Sequence, residues 1–399
     1  MIREADVVVI GGGVIGTSVA YYLARHGLEV ALVEKGGIAS GASGCNTGMV
    51  WLQTVRPGIE AELALASRRM FLGLSEELEM DIEYRQSGAG IILENKAQWE
   101  EAQALVLRQR QIGIKVRLLD REKALELEPG LGGSVLGITH STIDGQVNPF
   151  LLAIGYARSA RKLGAEILTR TAAIGIETKA GRVSGVVTPK GLIRAGVVVN
   201  AAGAHAAVVG RMVEIDVPVF PRKSQMMVTE AVAPLFNSSF LCGRYFQPIS
   251  EEILLHATEP FDRAGIQLLL RQTANGNLLL GETRENKGFD TDVTEEGMKL
   301  IARHVLNLAP KLAGVNVIRA FSAAVPQSKD TFPIIGPVSC LDGLFMAAGH
   351  CGDGILFAPI TGRLIAESIT TGKTSFPVGK LNLDRFGPPI PAWKGSIVG

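Results

Sequence analysis

The sequence Val7-Val8-Val9-Ile10-Gly11-Gly12-Gly13-Val14-Ile15-Gly16 runs straight on into Thr17-Ser18-Val19-Ala20-Tyr21-Tyr22-Leu23-Ala24-Arg25. Four apolar, β-branched residues in a row predict a strand buried on both faces, as in a parallel sheet. Val14 to Arg25 predicts a helix and Glu29-Val30-Ala31-Leu32-Val33 a second strand, which together make one βαβ unit. Between strand and helix stands GxGxxG. Its first glycine, Gly11, makes the turn. Gly13 admits a pyrophosphate to the N–H groups of Val14 and Ile15, and Gly16 lets helix and strand pack closely. Glu34 closes the second strand, where a carboxylate reaches ribose hydroxyls. The unit therefore predicts a dinucleotide site.

Outward from this unit, the chain alternates between two kinds of pattern. From about Met80 to Leu131 it turns polar and helical (Trp99 to Gln111, Arg121 to Glu128), around a strand at Gly90 to Leu93. Pro149 to Leu163 predicts a helix, Glu166 to Leu168 a strand, and Val183 to Thr188 with Leu192 to Val198 a hairpin; Val197 to Gly203 reads as a second glycine-ended buried strand. Gln225 to Thr229, Ile266 to Leu270 and Leu278 to Leu280 predict an antiparallel sheet, and Glu295 to Leu308 a helix. Leu344 to Ala348 then predicts a strand, Gly349 to Gly354 a turn and Ile355 to Thr370 a helix. The expected fold class is α/β: a Rossmann-like domain of the glutathione-reductase type (residues 1–79, 141–220 and 325–386), interleaved with an α+β substrate domain on an antiparallel sheet (80–140 and 221–324). A Pro/Gly-rich tail, 387–399, follows.

Composition narrows the partner. With 40 basic and 39 acidic residues in 399 the chain is nearly neutral, which argues against nucleic acid or an anionic membrane and for a small molecule. Four cysteines, Cys45, Cys242, Cys340 and Cys351, form no CxxC pair, so neither a disulfide framework nor a zinc or iron–sulfur site is expected. With no metal site, no transmembrane segment and no signal peptide predicted, the expectation is a cytoplasmic protein, with peripheral membrane docking left open.

Two further segments select the dinucleotide. Ser40-Gly41-Ala42-Ser43-Gly44-Cys45-Asn46-Thr47-Gly48-Met49 is small and flexible, suited to wrapping backbone donors round phosphates and a flat ring. Ala348-Gly349-His350-Cys351-Gly352-Asp353-Gly354-Ile355 ends a strand and opens a helix, bringing bare N–H groups to the same crevice, where they favour negative charge on a reduced flavin. There is no second GxGxxG for a nicotinamide reductant. Electrons are expected to come from an organic substrate and leave to oxygen or a partner.

With these motifs in order, joined by Asp144-Gly145-Gln146-Val147-Asn148-Pro149, Val198-Val199-Asn200-Ala201-Ala202-Gly203-Ala204-His205-Ala206 and Asp330-Thr331-Phe332-Pro333-Ile334-Ile335-Gly336-Pro337, the chain resembles the D-amino-acid-oxidase-like FAD-dependent oxidoreductases. The segment from Thr229 to Glu285 most resembles flavin subunits of hydrogen cyanide synthase, opine oxidase and D-proline or hydroxyproline dehydrogenase. The resemblance implies FAD, with Gly11, Gly13, Val14, Ile15 and Gly16 at the pyrophosphate, Glu34 at the ribose, and Lys35 and Ala173 at the adenine. It implies Ala42, Ser43, Thr47, Gly48, Met49, Ala202, Gly203, Gly352, Asp353, Gly354, Ile355 and Leu356 around the rest of the cofactor. It further implies oxidation of the C–N bond of an amino acid or secondary amine to an imine, in a chain that works with other subunits carrying FAD, FMN or iron–sulfur centres. The alternatives are a non-catalytic electron-transfer or scaffold subunit and a flavin 2-hydroxy-acid dehydrogenase.

The chain departs from the family at its substrate-carboxylate arginines: Ala324-Val325-Pro326 stands where one is usual, and Cys351-Gly352 where some relatives carry another. A planar guanidinium matches a carboxylate with two hydrogen bonds, so another arginine should take the role. Arg271 is the first candidate, followed by Arg56 and by Arg244 beside Tyr245. Met49 and Tyr245 are expected at the reacting centre, and His350 as a hydrogen-bonding neighbour of the flavin. Two features suggest a partner surface: the apolar residues Phe236, Phe240, Leu241, Tyr245 and Phe246, and a tail anchored by Trp393.

Overall fold

A computed structural model describes residues 4–246 and 257–387. Val7–Ile10 lies at the centre of a six-stranded sheet, in the order Ile334–Pro337, Leu344–Ala348, Val197–Asn200, Val7–Ile10, Val30–Val33, Glu166–Leu168. All neighbours are parallel except the Ile334–Pro337 edge. The alternation of a strand decides which residue meets which layer. Val7, Val9 and Leu32 pack against helices Val14–Arg25, Pro149–Lys162 and Gly354–Thr371. Val8, Ile10 and Val33 pack against a three-stranded antiparallel sheet of Gly175–Lys179, Arg182–Thr188 and Gly191–Arg194. The hairpin therefore ends at Arg194, not at Val198. The break falls at Ala195-Gly196, and Val197–Asn200 leaves to enter the parallel sheet.

The second sheet has eight strands, in the order Val317–Ser328, Val219–Ala231, Asn277–Gly281, Leu269–Gln272, Ser239–Cys242, Ala89–Leu93, Gly137–His140, Arg117–Asp120. It is antiparallel except where Ser239–Cys242 runs parallel to Ala89–Leu93, the seam at which the two stretches of chain that build it meet. Val219–Ala231 and Val317–Ser328 are far longer than their apolar alternation predicts, because Pro221 and Pro326 interrupt it. The two prolines lie opposite each other, while the N–H of neighbouring Lys223 turns to the carbonyl of Glu285 on the other side, so the missing donors leave the ladder intact. Both strands run through the expected domain boundaries near 220 and 324. Helix Glu295–Leu308, capped by the Thr294 hydroxyl accepting from the Gly297 N–H at 3.2 Å, covers one face of this sheet.

Phe236, Phe240 and Leu241 are core residues, not surface ones. They alternate across the sheet, Phe240 toward helix Glu295–Leu308 and Leu241 toward Trp51 and helix Lys96–Gln111, which removes them from any partner surface. Trp393 and Gln247 to His256 lie outside the described residues. Among the described residues, no helix is long and apolar enough to cross a membrane.

Candidate active site

Strands Val7–Ile10 and Leu344–Ala348 flank Val197–Asn200 in parallel, and two of the three feed a helix directly, so helices Val14–Arg25 and Gly354–Thr371 start at one edge of the sheet. They cross in contact. The Ser18 hydroxyl donates to the Ala358 carbonyl at 2.8 Å, and a Cβ on Gly362 would lie 2.2 Å from Ser18 Oγ. Neither helix has a side-chain cap bond, at Gly13 or at Asp353. Their first-turn N–H groups are left for a ligand, apart from that of Val14, which donates to Ser43 Oγ at 2.9 Å.

The glycines divide the work. A Cβ on Gly11 would lie 2.4 Å from the Ala201 carbonyl oxygen, and one on Gly16 only 2.0 Å from that of Gly11, so both are fixed by backbone packing. A Cβ on Gly13 would meet only Ser43 Oγ, at 3.0 Å. Glu34 spans the turn, accepting from the Gly12 N–H at 2.7 Å and the Gly36 N–H at 2.6 Å. Lys35 Nζ lies 2.8 Å from His205 Nε2, which closes this end beside Ala202 and Gly203; Ala173 packs at its rim.

The Ala42–Met49 loop is shaped by Asn46, a residue whose role the sequence did not announce. Its amide donates to the carbonyls of Ala42 (3.0 Å) and Ser43 (2.8 Å), and its Oδ1 accepts from the Gly48 N–H at 2.7 Å. Gly48 sits at φ +69, and a Cβ there would strike the Val147 carbonyl at 2.1 Å. Met49 pairs with Gln146, and buried Asp144 accepts from the Leu52 N–H at 2.7 Å and Gln53 Nε2 at 3.0 Å, so the loop is held from beneath. On the other side Gln327, from the long strand of the second sheet, bridges to His350. His350 Nε2 lies 3.0 Å from Thr361 Oγ1, and burial pushes its pKa down to about 3, so it stays neutral.

Each of the three expected arginines bonds to the protein through at least one nitrogen. Arg271 is 3% exposed, and its Nη1 donates to the carbonyls of Thr47 and, at 2.8 Å, Val147; burial lowers it to about 10. Its Nη1 braces the loop, while its buried Nε has no hydrogen-bond partner. Arg244 points to the far face of the sheet, to the Ile266 carbonyl at 2.9 Å and Asp262 at 2.6 Å, over the Phe261 ring. Arg56 binds Glu60 at 2.5 Å and Thr331, stacked 3.4 Å from the centre of Phe332. Tyr245, one residue on from Arg244, turns the other way and packs with Met49, Trp51 and Leu269.

Tyr245 shares its surroundings with Arg284, Asp353 and Glu60. Arg284 follows strand Asn277–Gly281, and its Nε donates to Glu282 Oε1 at 2.8 Å. Its two terminal nitrogens have no hydrogen-bond partner among the described residues. Burial opposes its charge most, but Glu282, Tyr245 and Asp353 together outweigh burial and raise its pKa, so it stays a cation. Arg284 lies inside the Thr229 to Glu285 segment, and nothing in its local sequence marks it as a site residue. Only the turn of the chain after Gly281 brings it opposite residue 353. Beside it, Gly352 is open: a Cβ there would meet nothing within 4 Å.

The crevice fits FAD on its own geometry: two uncapped helix ends, one glycine open to a pyrophosphate and a carboxylate at the ribose position. The comparisons agree. Residues 6–368 match the model of the FAD dependent oxidoreductase family, DAO. The chain is 29% identical to the hydrogen cyanide synthase subunit HcnC of Pseudomonas aeruginosa, over 97% of this chain and 98% of that one. It is 31% identical to glycine oxidase of Geobacillus kaustophilus, over 96% and 98%. The crystal structure of L-proline dehydrogenase from P. horikoshii superposes with a TM-score of 0.86 at 26% identity, covering 97% of this chain and 98% of that one. The chain thus belongs to the DAO family of FAD-dependent oxidoreductases.

Proposed function

We propose that this chain oxidises the C–N bond of an amino acid or secondary amine to an imine, with Arg284 holding the substrate's carboxylate. The observation that carries this is the guanidinium of Arg284, whose two terminal nitrogens, without a hydrogen-bond partner among the described residues, stand near Tyr245 and Asp353, while Arg56 binds Glu60 and Thr331, Arg244 binds Asp262 and Arg271 braces the cofactor loop through Nη1. Bound FAD supplies the acceptor for the hydride from the substrate's α-carbon. The protein's share is orientation and charge. Arg284 fixes the carboxylate with parallel hydrogen bonds, and Tyr245 and Met49 shape the apolar wall that excludes water. Glycine oxidase and L-proline dehydrogenase among the relatives support an amino-acid substrate.

Anaerobic mixing of the yellow holoprotein with a panel of D-amino acids, N-methyl amino acids, proline analogues and opines tests the reaction, since a substrate bleaches the flavin. Arg284→Met should raise KM or Kd for that substrate by about 10- to 100-fold, the value of one or two charge-assisted hydrogen bonds, without altering the flavin spectrum. A panel that leaves the flavin oxidised throughout would remove the reading. The relative HcnC, named as a subunit, also supports a hetero-oligomeric dehydrogenase, whose other chains would carry the electrons onward. Co-expression with candidate partners and size-exclusion chromatography tests this; a monomer turning over rapidly with oxygen alone would rule it out.

A further inference from the structure

We infer that Asp353 is a substrate-contacting carboxylate that receives the amine as its ammonium ion and accepts its proton, so that the site selects amino acids over the corresponding 2-hydroxy acids. The inference rests on the C–N reading above and goes beyond it by assigning the acidic half of the site.

The placement of Asp353 is the first argument. It is the N-cap residue of helix Gly354–Thr371, and at φ −99 and ψ 11 it lies outside the extended conformation of a capping aspartate, so its carboxylate makes no cap hydrogen bond. It is half-buried at the crevice, between the open position of Gly352 and the first turn of the helix.

The second argument is the set of charges that face it from separate elements. Helix Ile59–Glu77 contributes Glu60, the turn before it Arg56, the segment after Gly281 Arg284, and the turn after Ser239–Cys242 the phenol of Tyr245. Arg56 is committed to Glu60 and Thr331, and the Nε of Arg284 to Glu282. What remains open is one guanidinium edge and one carboxylate, a matched pair for a zwitterion. A 2-hydroxy acid would satisfy Arg284 but bring only a hydroxyl to a carboxylate crowded by Glu60. Discrimination between such ligands is strong when a buried polar group is left unmatched.

The proton balance is simple. The ammonium gives one proton to the carboxylate of Asp353, leaving a neutral amine with the lone pair that C–H cleavage requires and a neutral carboxylic acid beside Glu60. Burial, then Glu60, push Asp353 up to about 7, against the pull of Arg284 and Arg56, which suits it to exchange a proton near neutrality. Only the ionised form attracts an ammonium, so amine binding should weaken as pH falls below that value.

The test is binding rather than turnover. Flavin difference spectra of the holoprotein, taken anaerobically, give the Kd of proline and of tetrahydrofuran-2-carboxylate, which replaces the ring N–H with oxygen. The wild type should prefer proline. Asp353→Asn, which keeps the shape and an N-cap residue, should lose at least about tenfold of that preference, leave the oxygen analogue's Kd unchanged and abolish the pH dependence between 5 and 8. Glu60→Gln should keep the preference and move its pH midpoint downward. An Asp353→Asn protein with full flavin and the wild-type preference overturns the role of Asp353 alone. A wild type whose flavin answers to neither proline nor any amine of the panel overturns the C–N reading, and this inference with it.

Discussion

Gly13→Ala and Gly16→Ala should separate cofactor binding from folding, because the two positions are glycine for different reasons. A Cβ on Gly16 lies 2.0 Å from the Gly11 carbonyl oxygen and 3.3 Å from the Ala201 Cβ, where ordinary contact begins at 3.4 Å. The nearest atom is backbone, so no rotamer relieves the clash and the helix must move off its strand by more than about 1 Å. Overpacking of this kind costs about 1–3 kcal/mol, and a backbone collision belongs at the top of that range. At about 1 °C per kcal/mol for a chain of 399 residues the flavin-free protein should melt roughly 3–4 °C lower. Gly13 has φ −74 and ψ 176, open to any residue, and its Cβ meets only a hydroxyl that can rotate. The flavin-free Tm of Gly13→Ala should therefore change by no more than the equivalent of about 1 kcal/mol. Its methyl occupies pyrophosphate space, however, and the loss of one or two charge-assisted hydrogen bonds raises the FAD Kd about 10- to 100-fold. Thermal unfolding of the flavin-free protein, with fluorescence titration of FAD, measures both. Equal destabilisation by the two substitutions, or a wild-type FAD Kd for Gly13→Ala, would refute the division.

Arg271→Met should weaken FAD retention and lower Tm, because the carbonyls of Thr47 and Val147 lose their donor at a cost of about 1–3 kcal/mol each; KM for the amine, measured at saturating FAD, should stay unchanged. His350→Asn should leave the pH dependence of ligand binding near neutrality in place, since burial already holds His350 neutral there; a vanished limb in a pH titration of Kd would move that role from Asp353 to His350. Asp330 is held below the usual carboxylate range by Arg385 at 2.7 and 3.0 Å, against the upward push of burial. Its stabilisation is present above the unfolded value of about 3.9 and is lost as pH falls through the lower folded value. Asp330→Asn should therefore be less stable than wild type at pH 6 by thermal unfolding, with the gap narrowing toward pH 3.

The legible parts of the sequence were those in which local chemistry and tertiary role agree. Helix Glu295–Leu308 has a threonine cap and one apolar face, Val7–Ile10 is apolar on both faces because it is covered on both, and the glycine turns carry their own signature. Helix Ile59–Glu77 gave no clear stripe because its inner face holds Ser67 and Glu60 while Leu72 stands 60% exposed. The substrate side was harder for a physical reason. Arginines report charge but not direction, and on the Gly243–Phe246 turn a single step separates Arg244, facing away, from Tyr245, facing in. Arg284 acquires its meaning only from residues 60 and 353, which sequence distance conceals.

The interleaving of the two sheets has a consequence for how the protein is made. The cofactor crevice needs Gly11 to Gly16 from the first βαβ unit and His350 to Leu356 from the turn into helix Gly354–Thr371, with both passages through the second sheet in between. As synthesis proceeds, the nascent chain holds half a cradle for most of its time on the ribosome, its early strands waiting for partners hundreds of residues downstream. Such long-range pairing is slow to form and leaves strand edges exposed in the meantime. FAD cannot template this folding from the start. It can only lock a nearly finished molecule, so flavin supply should govern how much protein survives quality control rather than how fast it folds.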